Sequence, residues 1–340
     1  MPSNVPRSPV RLKDIARDLN VSVMTVSKVV RGCADVGPAT RSRVLARIKE
    51  LNYQPNWIAR SLAARRTFII GLIVPDLMHS FFAEIAKGVS TSLRPLGYDV
   101  VICNSEDNGD VESSEVDHLL SRQVDGFIIA SAQPPTSTAV FSRIEARGVP
   151  FVLVDRRFNE VRAPYVGADD EAIGRLATKH LIDRGCRRIA HIAGPELTPG
   201  VGRLKGYREA LKAAGISAPD AYVAHASDDV TGCAAARALL AIEPRPDGIF
   251  GYNDPTAAGA LKAVLEAGIG VPEEIKVIGV GNVHYSDLLR VPLSTIDQES
   301  MTIGSKAAEI LLNALAPKRK RAPVSVVMTP KLIVRESTGG

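Results

Sequence analysis

From Thr67 onward the chain repeats one pattern: a short apolar run rich in β-branched residues, then a longer stretch with helical spacing. The runs are FIIGLIV (Phe68–Val74), YDVVIC (Tyr98–Cys103), GFIIA (Gly126–Ala130), FVLV (Phe151–Val154), RRIAHIA (Arg187–Ala193), GIF (Gly248–Phe250) and IKVIGV (Ile275–Val280). Strands that are apolar throughout, rather than alternating, are buried on both faces. Interleaved with helices, they form a parallel sheet with helices on each side. An open sheet rarely exceeds about ten strands, so the expectation is an α/β core of two doubly wound parallel-sheet lobes.

The first 66 residues obey a different period. Leu12, Ile15, Ala16 and Leu19 lie on one helical stripe. Asn20 interrupts the pattern, and Ser22 stands where an N-cap belongs ahead of Val23–Val30, whose buried face is Val26, Val29 and Val30. So short a connection between two helices predicts a helix-turn-helix. Gly37-Pro38 opens a third helix with inner residues Val44, Leu45, Ile48 and Leu51. This small all-α domain is strongly basic. It has 13 Lys/Arg against 4 Asp/Glu up to Arg66, a net +9, whereas the remainder carries −4. A basic head on a mildly acidic body is a nucleic-acid-binding footprint. In helix-turn-helix geometry the second helix enters the major groove. Val23, Met24 and Lys28 would then face bases, with Lys28 reaching either a guanine or a phosphate. Ser22, Thr25, Ser27 and Arg31 would donate to phosphates, which fixes register. Pro55 ends the third helix. Asn56 can cap a further short one, with Ile58, Ala59, Leu62 and Ala63 on one stripe. A helix so short is marginal alone and fits a segment that forms against DNA or a partner subunit.

RLKDIARDLNVSVMTVSKVVRG followed by ATRSRVLARIKELNYQPNWIARSLAARRT resembles the head and hinge of the LacI/GalR family of bacterial repressors. The family pattern V-S-x-x-T-V-S-[RK]-V-[LV] is Val21–Val30 here, and L-[NG]-Y-x-P-N is Leu51–Asn56. The family usually caps its first and third helices with Thr and Ser; here Arg11 and Gly37 stand there. The resemblance continues through PDLMHSFFAEIAKGV (Pro75–Val89), VDGFIIA (Val124–Ala130), RGCRRIAHIAGP (Arg184–Pro195), RLKGYREAL (Arg203–Leu211), NDPTAAGAL (Asn253–Leu261) and PKLIVREST (Pro330–Thr338). It implies a periplasmic-binding-protein-like, type I body, with crossings between lobes near Tyr165–Ala168, Ser294–Gln298 and Lys318–Pro323. The domains expected are 10–54 (helix-turn-helix), 55–66 (hinge) and 67–340 (effector binding and dimerisation). The resemblance also implies a homodimer on an inverted-repeat double-stranded DNA operator, paired hinges wedging Leu62 into the minor groove, and a small-molecule effector between the lobes. Tetrameric relatives extend past the last strand with leucine heptads; this chain stops at Thr338-Gly339-Gly340.

For the effector cleft the resemblance points to Phe82, Asp155, Arg203, Asn253 and the position of Gly281. Arg203 matches an arginine that clamps a carboxylate, phosphate or hydroxyl pair. Asp155, at a strand's carboxyl end, would accept from hydroxyls or pair with Arg156 or Arg157. Asn253 would face the cleft while Asp254 caps the helix behind it. Phe81 and Phe82 would divide into core and ligand face, Phe82 taking the latter. Many relatives carry Asp where this chain has Gly281, and aromatics where it has Ser227 and Ser300. The effector is expected to be a sugar or sugar acid, with Gly281 leaving room for a larger or acidic ligand. The alternatives are control by a protein co-regulator, or a soluble ligand-binding protein.

No enzyme is expected. GVGRLKG (Gly200–Gly206) and GVGNVH (Gly279–His284) follow strands, but neither completes G-x-G-x-x-G. G-x-S-x-G, Walker A and H-E-x-x-H are missing, so no catalytic residues and no cofactor are expected. The six histidines are isolated, which argues against a metal site. The four cysteines are scattered, and the polar start MPSNVPRSP has no apolar core. Both suit a cytoplasmic protein without membrane attachment. KRKR (Lys318–Arg321) reads as a solvated loop between lobes.

Overall fold

The computed structural model describes residues 10–30, 35–53, 61, 66–316 and 325–339. The chain divides into two compact units, Met1–Thr67 and Phe68–Gly340.

In the first unit, α1 (Leu12–Leu19), α2 (Val23–Val30) and α3 (Pro38–Glu50) enclose Ile15, Ala16, Val26, Val29 and Val44. Asn20 ends α1 in the left-handed region (φ 52°), which a short polar side chain tolerates. Ser22 then caps α2, its Oγ accepting from Thr25 N at 3.0 Å. Arg11 offers α1 no side-chain cap. Asp14 compensates by accepting from Arg11 N at 3.0 Å. Arg47 ties α3 to α1 through Asp18 (2.6 Å). One expected core residue is corrected: Leu45 is 49% exposed. It lies about 100° around the helix from Val44, off the stripe that holds Ile48 and Leu51.

The second unit contains two six-stranded sheets. The first lobe comprises β1 (Ile69–Val74), α4 (Ser80–Leu93), β2 (Asp99–Asn104), α5 (Gly109–Ser121), β3 (Gly126–Ile129), α6 (Ala139–Ala146), β4 (Phe151–Val154) and β5 (Tyr165–Ala168). The second comprises α7 (Asp170–Asp183), β6 (Ile189–Ala193), α8 (Thr198–Ala213), β7 (Val223–His225), α9 (Asp229–Leu240), β8 (Gly248–Gly251), α10 (Asp254–Glu266), β9 (Lys276–Val280) and β10 (Ser294–Asp297). The chain then returns: α11 (Ser300–Leu315) and β11 (Val326–Met328) join the first lobe, and β12 (Lys331–Ile333) the second. The strand orders are β11-β5-β4-β3-β1-β2 and β12-β10-β9-β8-β6-β7, parallel throughout except for the β10–β12 pair.

Two crossings fall where expected, after β5 and after β10. The third does not. α11 packs on α4 through Ile303, Ala307 and Leu311, and β11 pairs with β5. Residues 317–324 therefore join two elements of one lobe, and the crossing is at Thr329–Pro330. Lys318–Arg321 lies outside the described residues. α4 and α11 approach closely because Gly304 carries no side chain. A Cβ there would sit 2.2 Å from Ile85 O. No helix among the described residues is long and apolar enough to cross a membrane.

Candidate functional site

On the head, Val23 and Met24 are 47% and 62% exposed on α2. Apolar side chains left in solvent beside a capped helix start suit contact with base edges rather than core. Ser22 is exposed, and Thr25 and Ser27 are half-buried. Lys28 Nζ lies 2.5 Å from Asp35 Oδ2. Arg31, Asn56, Ala59 and Leu62 lie outside the described residues.

In the body the carboxyl ends of the strands converge on a cavity of about 70 Å³ between the lobes. Phe81, Phe82, Asp155, Arg203 and Asn253 line it, joined by Asp76, His79, Asp107, Arg156, Ser227, Tyr252 and Gln298. Such crevices are where open α/β sheets place ligands. Two polar links cross from lobe to lobe at its edge. Asn253 Nδ2 meets His79 Nε2 at 3.0 Å, and Thr198 Oγ1 bonds Arg157 N and O at 3.0 and 3.1 Å.

The arginines here are already paired. Arg203 is 2% exposed. Its Nε donates to Asp170 Oδ1 (3.0 Å), Nη1 to Tyr252 O (2.8 Å) and Nη2 to Gln298 Oε1 (2.7 Å), and the guanidinium lies 4.8 Å from the Tyr252 ring centre. The grip expected of Arg203 on a ligand is thus largely taken by protein groups. Arg156, which the sequence reading left outside the site, pairs with Asp107 at 2.6 Å and donates to Ser131 O at 3.0 Å. Asp155 is different. It is buried, its carboxylate reaches only Arg156 Nε at 3.9 Å, and no hydrogen-bond donor among the described residues serves it. Burial raises its pKa, opposed by the charges of Arg156 and Arg203. Its backbone is left-handed (φ 61°), a strained geometry that functional sites often hold.

Three expectations change. Asn253, not Asp254, caps α10, its Oδ1 accepting from Thr256 N at 2.9 Å. An Asn-Asp pair at a strand end admits either cap by composition. Asp254 instead points into the second lobe, fully buried, and accepts from Val283 N, Ser286 Oγ and Thr295 Oγ1. Phe81 and Phe82 do not divide into core and ligand face. Both are buried, both line the cavity, and their rings meet edge to face at 5.1 Å. Gly281 is not among the lining residues. It adopts φ 134° beside Asp254, and its N–H donates to Ile296 O. Of the two serines, Ser227 lines the cavity, while Ser300 bonds Glu84 between α11 and α4.

Burial holds two histidines neutral. His79 is pushed down to about 4 and His191 to about 3. Their ordinary value is 6.5. Between pH 6.5 and 4 the unfolded chain binds a proton at residue 79 that the folded body refuses. This stability is whole above pH 6.5 and is lost as pH falls towards 4. Asp170, raised to about 6 mainly by burial, acts oppositely below pH 6. A comparison isolates the histidine: the stability difference between the native protein and His79→Gln should shrink on acidification by up to about 1.4 kcal/mol per pH unit. Urea unfolding at pH 7.5, 6 and 4.5 measures it, and parallel curves would refute it.

Comparison with known proteins follows the same two parts. Residues 11–56 match bacterial regulatory proteins of the lacI family, and residues 67–336 match the periplasmic binding proteins and sugar binding domain of the LacI family. The chain belongs to the LacI family. It is a DNA-binding transcriptional repressor of that family. The ribose operon repressor of Halalkalibacterium halodurans is 34% identical over 333 residues, covering 97% of each chain. A lac repressor dimer bound to operator and the anti-inducer ONPF is 27% identical, with TM-score 0.83, over 97% of this chain and 99% of that one. The regulator CelR in complex with cellobiose is 32% identical, with TM-score 0.74, over 96% and 99%. Asp107 and Gln298 were missed because neither adjoins an expected site residue in sequence, whereas Arg156, Tyr252 and His79 lie within three residues of Asp155, Asn253 and Phe82, and their positions at strand ends and at the start of α4 were the available signal.

Proposed function

We propose that the protein represses transcription as a homodimer on an inverted-repeat operator, and that a neutral polyhydroxylated ligand of the sugar class in the inter-lobe cleft controls it. The domains would be 10–54 for DNA reading, 55–66 for the hinge and 67–340 for effector binding and dimerisation. Val23, Met24 and Lys28 would read bases, with Ser22, Thr25, Ser27 and Arg31 on phosphates. Asn56, Ala59 and Leu62 would belong to the hinge, Leu62 wedging the minor groove. The protein works by binding rather than catalysis, in the cytoplasm where the DNA is.

The ligand class rests on one observation: Asp155 is the cleft carboxylate without a donor, whereas both buried arginines already have acidic partners. An anion would compete with Asp170 and Asp107. A hydroxyl would supply what Asp155 lacks. A sugar acid is therefore disfavoured against a neutral sugar. Hydrogen bonds to a charged group contribute roughly 1.5–3 kcal/mol, so Asp155→Asn should weaken sugar binding about tenfold to a hundredfold. Full-length protein is titrated with monosaccharides by calorimetry, and operator binding is measured beside it. Operator affinity without sugar should be unchanged. Equal sugar affinity in the variant would remove Asp155 from the site.

A further inference from the structure

Tyr252 lines the cleft, although the family resemblance did not single it out. β8 ends at Gly251, so Tyr252 stands in the crevice beyond the strand, one residue before the Asn253 cap. Its backbone is pinned on both sides. The N–H donates to Ile192 O at 2.9 Å, and the carbonyl accepts from Arg203 Nη1. The ring covers the Arg203 guanidinium, a favourable arrangement for a desolvated cation. Gly194 makes the seat for it. A Cβ at residue 194 would lie 2.5 Å from two ring carbons, closer than any side chain can sit. The Tyr252 hydroxyl has no hydrogen-bond partner among the described residues. Burial keeps it protonated, its pKa pushed up to about 12.

The consequence is volumetric. Ligand clefts commonly enclose about 300–1,000 Å³; this one encloses about 70 Å³, and the Tyr252 ring is part of its wall. Most other walls are fixed by pairing: Arg203 by Asp170, Arg156 by Asp107, and Asn253 by the α10 cap and His79. Tyr252 is the large lining side chain whose polar end is uncommitted.

We propose that Tyr252 is a specificity-determining residue that limits the effector to a single sugar ring, its hydroxyl meeting the ligand and its phenol ring filling the space a second sugar unit would need. The inference rests on the cleft being the effector site. Full-length native protein, Tyr252→Phe, Tyr252→Ala and Tyr252→Leu are titrated by calorimetry with ribose, xylose, glucose and galactose, and with cellobiose and maltose. The native protein should bind at least one monosaccharide and neither disaccharide. Tyr252→Phe should still exclude disaccharides while binding the monosaccharide severalfold more weakly. Tyr252→Ala should gain disaccharide binding at least tenfold. Thermal unfolding checks that it is folded, and Tyr252→Leu replaces it if it is not. A native protein that binds a disaccharide overturns the filter. So does a folded Tyr252→Ala or Tyr252→Leu that still excludes both. If monosaccharide binding is present and depends on Asp155 while the disaccharide result is negative, the sugar reading stands and the filter alone falls. If no sugar binds any of the four proteins, both fall.

Discussion

Arg203→Ala should lower the stability of the body by about 3–5 kcal/mol, the usual consequence of removing one partner from a buried ion pair. The side chain is nearly inaccessible, and all three of its nitrogens are bonded within the protein. Truncation leaves the Asp170 carboxylate buried without its counter-charge, and leaves Gln298 Oε1 and Tyr252 O without a donor. A cleft-surface arginine held only for ligand would show a different result, lost effector response with stability intact. The pH profile separates the two cases. Arg203 is what restrains the burial-driven rise of Asp170, which already titrates near 6. Without Arg203 that pKa climbs further. A folded-state carboxylate raised above its unfolded value of 3.8 gains stability as pH falls through the raised value. The variant should therefore recover part of its loss between pH 8 and 6, a range in which Asp170 of the native protein contributes far less because its pKa lies at about 6. Removing the stranded acid in Arg203→Ala/Asp170→Ala should recover part at every pH. Denaturant unfolding of the native protein, the variant and the double variant decides it. A loss under 1 kcal/mol for Arg203→Ala would mean the pair is not structural.

The elements most legible in the sequence were those whose information is local. Ser22 and the helix behind it lie within four residues of the bond that defines them. The apolar runs of β1, β3, β4, β6, β8 and β9 announce their own burial. β7, β11 and β12 have only three residues each, and the four of β5 (YVGA) and of β10 (STID) include Gly, Ser, Thr or Asp, so no continuous run of large apolar residues marks them. Missing β11 misplaced the third lobe crossing, because pairing with β5 joins residues about 160 positions apart. The cleft failed in the same way. Arg203 was identified as a cleft residue, but its partners Asp170 and Gln298 lie 33 and 95 residues away, and nothing local distinguishes a paired arginine from an available one. His79 meets Asn253 only across the two lobes. Residue type therefore pointed to the candidate cleft, and pairing across the chain decided which of its charges are already partnered.

The Asn253-Asp254 pair shows how large that difference becomes in energy. Asp254→Ala should destabilise the body by about 3–5 kcal/mol, from buried groups that each lose roughly 1–3 kcal/mol when left unsatisfied. Its carboxylate gathers Val283 N at 3.0 Å, Ser286 Oγ at 2.7 Å and Thr295 Oγ1 at 2.6 Å, so it fastens the segment after β9 to β10 and to the start of α10. A backbone N–H cannot reverse its polarity, so Val283 bears the loss in full. The two hydroxyls can rotate, and either can become an acceptor. Asp254→Asn should therefore be much milder than Asp254→Ala. Its amide oxygen can serve Val283 and Ser286 while its NH2 donates to Thr295 Oγ1. A simple helix cap would give the opposite pattern, a loss of about 1 kcal/mol for Ala with little beyond the first turn affected; here that cap is Asn253. Denaturation midpoints of the two Asp254 variants, with Asn253→Ala as the cap control, test the order Asp254→Ala, then Asn253→Ala and Asp254→Asn. If Asn253→Ala proved the most damaging, the buried carboxylate would not be what holds β9 and β10 to α10.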